Sequence, residues 1–166
     1  MPPVNFLILA LSALIPLVIG FIWYNPKVLG TAWMKASGMT EEKAKGANMP
    51  LVFGLTFIFS FFVAWAMQFV VIHEWGLFSY LLNDDFNAQT GAQYELYKDV
   101  VTRFPNQYRT FGHGAFHGFL VGLELALPII GINSLFERKG AKYIFINVGY
   151  WAICFMLMGG VICQYS

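Results

Sequence analysis

Residues Phe111 to Ile132 read FGHGAFHGFLVGLELALPIIGI, with Glu124 as the one acidic residue and no Lys or Arg. A helix crosses the hydrocarbon core of a bilayer with about 20 apolar residues, and this stretch has that length and character. Lipid offers bare backbone no hydrogen-bond partner, so the segment is expected to be helical. Outward from it, Val4–Tyr24, Leu51–His73 and Tyr143–Cys163 read the same way. The sequence therefore predicts an all-α membrane protein. It is expected to be a four-transmembrane-helix bundle forming a single integral membrane domain over residues 1–166, with short amphipathic helices in its loops.

Composition supports that class and excludes others. Of the 166 residues, 58% are hydrophobic, 18% aromatic and 11% charged. Soluble domains typically carry about 45–50% apolar and about 25% charged residues, which argues against a soluble enzyme or a disordered tail. Ten Lys and Arg against nine Asp and Glu give a net charge of +1, which is no basic footprint for nucleic acid. The expected partners are the lipid bilayer and either a second copy or another membrane protein. The first stretch lacks a basic n-region and a small-residue cleavage site before Trp23 and Tyr24, so it reads as a retained helix rather than a signal peptide. Trp23, Tyr24, Trp33, Trp75, Tyr80 and Tyr143 lie near span ends, where amphipathic rings favour the headgroup region.

Loop charge sets the expected orientation. Loop one, Asn25–Pro50, holds Lys27, Lys35, Lys43 and Lys45, and loop three, Asn133–Lys142, holds Arg138, Lys139 and Lys142. Loop two, residues 74–112, holds only Lys98, Arg103 and Arg109, beside Glu74, Asp84, Asp85, Glu95 and Asp99. The positive-inside rule places loops one and three in the cytoplasm, with both termini and loop two extracytoplasmic. Within loop one, Val28, Ala32 and Trp33 share a side of a short interfacial helix over Lys27–Ser37 that Gly38 ends. Thr40 before Glu41, Glu42 and Lys43 has the form of a helix N-cap with acidic residues in the first turn. In loop two, Tyr94, Tyr97, Val101 and Phe104 share one face of a helix that Pro105 stops. Such a face rests on the membrane surface or packs on neighbouring spans, with partner binding as the alternative.

The third span carries the chain's chemical constellation. At 100° per residue, His113, His117 and Glu124 fall within about 40° of one another. The two histidines are one turn apart, a spacing suited to a metal held by two imidazoles. Two ligands make an incomplete site, and His73 and Glu74 at the outer end of span two are candidates for the rest. Glu124 sits about 20 Å along the helix, in the middle of the membrane. No span contains Lys or Arg to neutralise it, so it is either neutral or paired, with Gln68 and Asn147 as candidate partners. Pro128 frees the carbonyl four residues earlier, that of Glu124, and breaks the helix there; Pro16 does the same in span one. Ser12 before Pro16 and Glu124 before Pro128 are spaced alike, a faint echo of a two-hairpin repeat. Gly114, Gly118 and Gly122 form a ridge for close helix packing, about 100° around from the histidine face. Cys154 and Cys163 are about 13 Å apart along one helix, too far to pair with each other. No phosphate loop, nucleophile elbow or Cys-x-x-Cys motif occurs, so no catalytic residue is assigned.

The run Gly20-Phe-Ile-Trp23-Tyr24-Asn-Pro26-Lys-Val-Leu-Gly30-Thr-Ala-Trp33-Met34 resembles the opening signature of a bacterial integral-membrane family, the domain-of-unknown-function 1761 family. That signature is a Trp-Tyr-x-Pro run followed by a Gly and a Trp, and Leu29 departs from the aromatic residue expected before the glycine. The resemblance implies the four-span plan over the whole chain and a bacterial cytoplasmic membrane location. It implies no activity and no catalytic residues.

Two functions follow as expectations. One is a non-catalytic oligomer or accessory subunit of a membrane assembly, motivated by the small size and the glycine ridge. The other is a proton- or metal-ion-coupled transporter or channel-like protein using Glu124 with His117 and His113. An intramembrane enzyme ranks third, since no nucleophile accompanies these residues.

Overall fold

Asn and Thr side chains cap six of the helical segments, as their short polar groups favour N-caps. Asn5 Oδ1 accepts from Ile8 N at 3.2 Å, Asn48 from Leu51 N at 3.2 Å, and Thr110 Oγ1 from His113 N at 3.2 Å. The computed structural model describes all 166 residues and is 80% helical without strands. Four helices are long and apolar enough to cross a membrane: span one Phe6–Trp23, span two Met49–Val71, span three Phe111–Phe136 and span four Ala141–Tyr165. Span three runs four residues beyond its expected end, and the other boundaries fall within two residues of expectation. This is a multi-pass membrane protein.

Span four is the centre of the bundle and packs against the other three. Of its most apolar window 44% is buried inside the protein, against 11–22% for the others, whose outward Phe21, Phe62 and Ile129 suit a lipid surround. Leu9, Met67, Val71, Met158 and Ile162 form the core where spans one, two and four meet. Asn5 Nδ2 donates to Tyr165 O at 3.3 Å and Arg109 Nε to Cys163 O at 2.8 Å, so both termini and loop two share one end of the bundle. At the other end, the Lys139 ammonium donates to Ser37 O and joins loop three to loop one.

The glycines of span three make the tightest seam. A Cβ added to Gly114 would overlap Gly159 O, one on Gly118 would overlap Phe155 O, and one on Gly122 would lie 2.6 Å from Ala152 Cα. Spans one and three are interrupted ahead of their prolines. Span one turns at Ala13 and Leu14, and Tyr150 donates its hydroxyl to Pro16 O at 2.8 Å. Span three widens to a π turn over Gly122–Ala126, where Leu127 N donates to Gly122 O. Proline has no N–H to hold the α register one residue further on, which eases the widening.

Loop one differs from the single helix expected over Lys27–Ser37. Asn25 Oδ1 accepts from Lys27 N, and Gly30 N reaches back to Asn25 O at 2.9 Å, which makes a π turn over Pro26–Gly30. The helix proper is Thr31–Ser37, ended by Gly38 at φ +75°. A Cβ on Gly30 would lie 2.8 Å from Asn25 C and closer still to Tyr24 O, so this turn admits only glycine. Loop two holds helices Glu74–Leu81, Asp84–Asn87 and Gly91–Arg103. The last of these packs on the other two rather than on the spans, with Tyr94 and Tyr97 against Phe86 and Tyr97 also against Phe78.

Candidate metal centre

Span two stops at Val71 because Ile72 turns extended, at φ −110° and ψ 100°. His73, the next residue, heads the Glu74–Leu81 helix and is exposed at the loop-two end of the bundle. Thr110 caps span three three residues before His113, and His117 follows one turn later. Their one-turn spacing puts the His113 and His117 rings 4.5 Å apart, centroid to centroid. The His73 ring centroid is 4.9 Å from that of His113 and 5.4 Å from that of His117. One ligating nitrogen from each of the three lies within 4.8 Å of the other two.

His73 Nε2 and His113 Nε2 are 2.7 Å apart, a hydrogen bond in which the N–H of one ring donates and the ring nitrogen of the other accepts. A metal taking the place of that shared proton requires about 3.3 Å between ligand nitrogens, the edge of a tetrahedron with bonds of about 2.0–2.1 Å. His73 is exposed, so a rotation of its side chain would supply that opening. Three imidazoles suit zinc, copper, nickel or iron rather than magnesium or calcium, which prefer oxygen. Three protein ligands leave a fourth position for water or an incoming group.

A tied loop holds the cluster's flank. Tyr108 stacks on His113, with centroids 5.2 Å apart and planes 22° from parallel, and meets His73 edge-on. Tyr108 stands at φ +62° and Asn106 at φ +58°. Asn tolerates the left-handed region, but a bulky Tyr needs its surroundings to hold it there. Thr110 N donates to Tyr108 O at 2.8 Å, the Cys163 thiol lies 3.3 Å from the same oxygen, and Arg109 Nε binds Cys163 O. His73 and Tyr108 also line a cavity of about 330 Å³ that includes Glu74, Val101, Phe104 and Arg109. Tyr97 donates its hydroxyl to Glu74 Oε1 at 2.5 Å, and burial, then the Glu74 carboxylate, pushes this phenol well above its ordinary value.

The structure brings His113 and His117 together with His73, but it does not join Glu124, Gln68 and Asn147 to them as one polar site. Glu124 is exposed on the outer face of span three and makes no hydrogen bond or ion pair. Seven residues of rise, about 10 Å, separate it from His117, and it lies in the π turn about half a turn around from the buried seam glycine Gly122. Asn147 is engaged elsewhere, accepting from Tyr24 Oη at 2.9 Å and donating to Tyr143 O at 2.7 Å. Gln68 is wholly buried, with both side-chain polar atoms unpartnered. Both cysteines are free. Sequence reasoning did not single out Tyr108 or the Glu74–Tyr97 pair. Only Pro105-Asn106, a turn signal, marks that loop in the sequence.

No curated protein and no solved structure gives a significant match to the chain. The model of a family described as proteins of unknown function, DUF1761, matches residues 7–163, and the chain belongs to that family.

Proposed function

We propose that this protein binds one divalent transition-metal ion through His73, His113 and His117 at the loop-two end of its bundle. The observation that carries the reading is the convergence of three imidazoles, two from span three and one from the head of the Glu74–Leu81 helix, each with a ligating nitrogen within 4.8 Å of the others. The exposure of His73 gives an ion access from water, and the open fourth position suits exchange rather than a closed structural clamp. Elemental analysis of detergent-purified protein after zinc loading and desalting tests this. About one zinc per chain is expected for a three-ligand site, and a metal content equal to that of a buffer blank would end the proposal.

Glu124 favours a second, compatible reading: an oligomer or an accessory subunit of a membrane assembly. An unpaired carboxyl facing lipid at mid-span is costly, by about 2.5–3.5 kcal/mol for an acidic group at the helix centre on insertion scales. A protein neighbour relieves that cost where lipid does not. Sizing in mild detergent is expected to show a complex larger than one chain, and its dissociation in Glu124→Leu would tie the contact to this face. A monodisperse monomer with nothing co-purifying counts against it.

The excess of Lys and Arg in loops one and three supports a cytoplasmic position for them, and the sequence signature supports a bacterial inner membrane. The metal site then faces outward. In intact cells an Asn87→Cys variant is expected to react with an impermeant maleimide, and protection would reverse the topology.

A further inference from the structure

The cavity beside the histidines carries two opposite charges that the chain leaves uncompensated. Arg109 and Glu74 both line it, yet the one ion pair in the protein is Arg103–Asp99, on the exposed face of the Gly91–Arg103 helix. Each charge is nonetheless fixed in place. Arg109 Nε is held by Cys163 O, which leaves the terminal guanidinium nitrogens free. Glu74 is held through Oε1 by the Tyr97 hydroxyl, which leaves Oε2 free. The remaining wall is largely apolar, with Ile72, Leu77, Val101 and Phe104. A volume of about 330 Å³ lies at the small end of the roughly 300–1,000 Å³ usual for ligand pockets. Two fixed, opposite charges in a small apolar cavity complement a zwitterion with an apolar side chain. A simple anion would leave Glu74 unmatched, and a simple cation would leave Arg109 unmatched.

We propose that this cavity binds a free α-amino acid with an aliphatic side chain. Its carboxylate meets Arg109, its ammonium meets Glu74, and its side chain lies against Val101 and Phe104. The site needs no metal, so it stands apart from the histidine cluster although His73 belongs to both.

Equilibrium binding of radiolabelled L-leucine to the whole protein in lipid nanodiscs, with EDTA present, tests the proposal. Saturable binding is expected. N-acetyl-leucine lacks the ammonium and leucine amide lacks the carboxylate, so each should compete about tenfold or more weakly, the loss of one charge-assisted contact. Arg109→Gln should weaken leucine about tenfold but leave leucine amide unaffected, and Glu74→Gln should weaken leucine but not N-acetyl-leucine. Absence of saturable leucine binding by the parent protein overturns the proposal, as does competition by either analogue as strong as that of leucine itself. The analogue series on the parent protein decides the matter even where a variant folds poorly. Zinc binding is measured on the same preparation without chelator. Leucine binding without zinc binding would sink the metal site alone, and the converse would sink the amino-acid site alone.

Discussion

The His113→Ala variant is expected to lose tight zinc binding under conditions in which the parent chain retains about one ion. His113 is the hub of the cluster: its Nε2 is 2.7 Å from that of His73, its ring is 4.5 Å from that of His117, and Tyr108 stacks on its face. Without it, two imidazoles remain, one from the head of the Glu74–Leu81 helix and one from a second turn of span three. Removing merely the outer hydrogen bond of a metal-ligating histidine typically costs about 10–100-fold in affinity, and removal of a ligand itself should exceed that. Alanine is the best helix former and leaves the Thr110 cap intact, because the capping bond uses the backbone N of residue 113. Far-UV circular dichroism should therefore match the parent while calorimetric zinc affinity collapses. Undiminished zinc affinity in His113→Ala would show that these imidazoles only share a proton.

The spans were legible because lipid leaves the backbone a single option. Twenty apolar residues there must be helical, whatever they pack against. The one-turn relation of His113 and His117 was legible for the same reason, as both lie on an uninterrupted stretch of α-helix. His73 was within reach only as a residue at similar depth. Its arrival at the other two depends on Ile72 turning extended, and neither Ile72 nor its neighbours carries a helix-stop signal. Glu124 shows the opposite failure. The straight-helix projection puts it in line with the histidines, but seven residues of rise, about 10 Å, separate it from His117, and it stands exposed within the wider turn Gly122–Ala126. Pro128 marked the place of the break without revealing its form. In loop two, the face Tyr94–Tyr97–Val101–Phe104 and its end before Pro105 were readable from period and proline. What that face covers was not, since Phe78 and Phe86 belong to helices too short to announce themselves by periodicity.

Packing at the glycine seam should show directly in the metal site. Gly118→Ala is expected to lower the unfolding midpoint sharply, whereas Gly131→Ala in the same span should leave it unchanged or raise it. A Cβ at position 131 meets nothing within 4 Å. At position 118 it overlaps Phe155 O and lies 2.6 Å from Phe155 C and 3.0 Å from Met156 N. These are backbone atoms of span four, so no rotamer change removes the overlap and the two helices must part. Overpacking that side chains absorb costs about 1–3 kcal/mol, and a separation of whole helices also forfeits the dispersion contacts along the seam, which are much of what holds helices together in lipid. The consequence reaches the histidines, because His113 and His117 each precede a seam glycine by one residue. Moving span three away from span four moves two ligands relative to His73, which sits on span two's side of the cluster. Gly118→Ala should therefore weaken zinc binding as well as stability, while Gly131→Ala should change neither for the worse. Equal behaviour of the two variants, measured by thermal unfolding in detergent and by zinc titration, would mean that the seam does not set the geometry of the site.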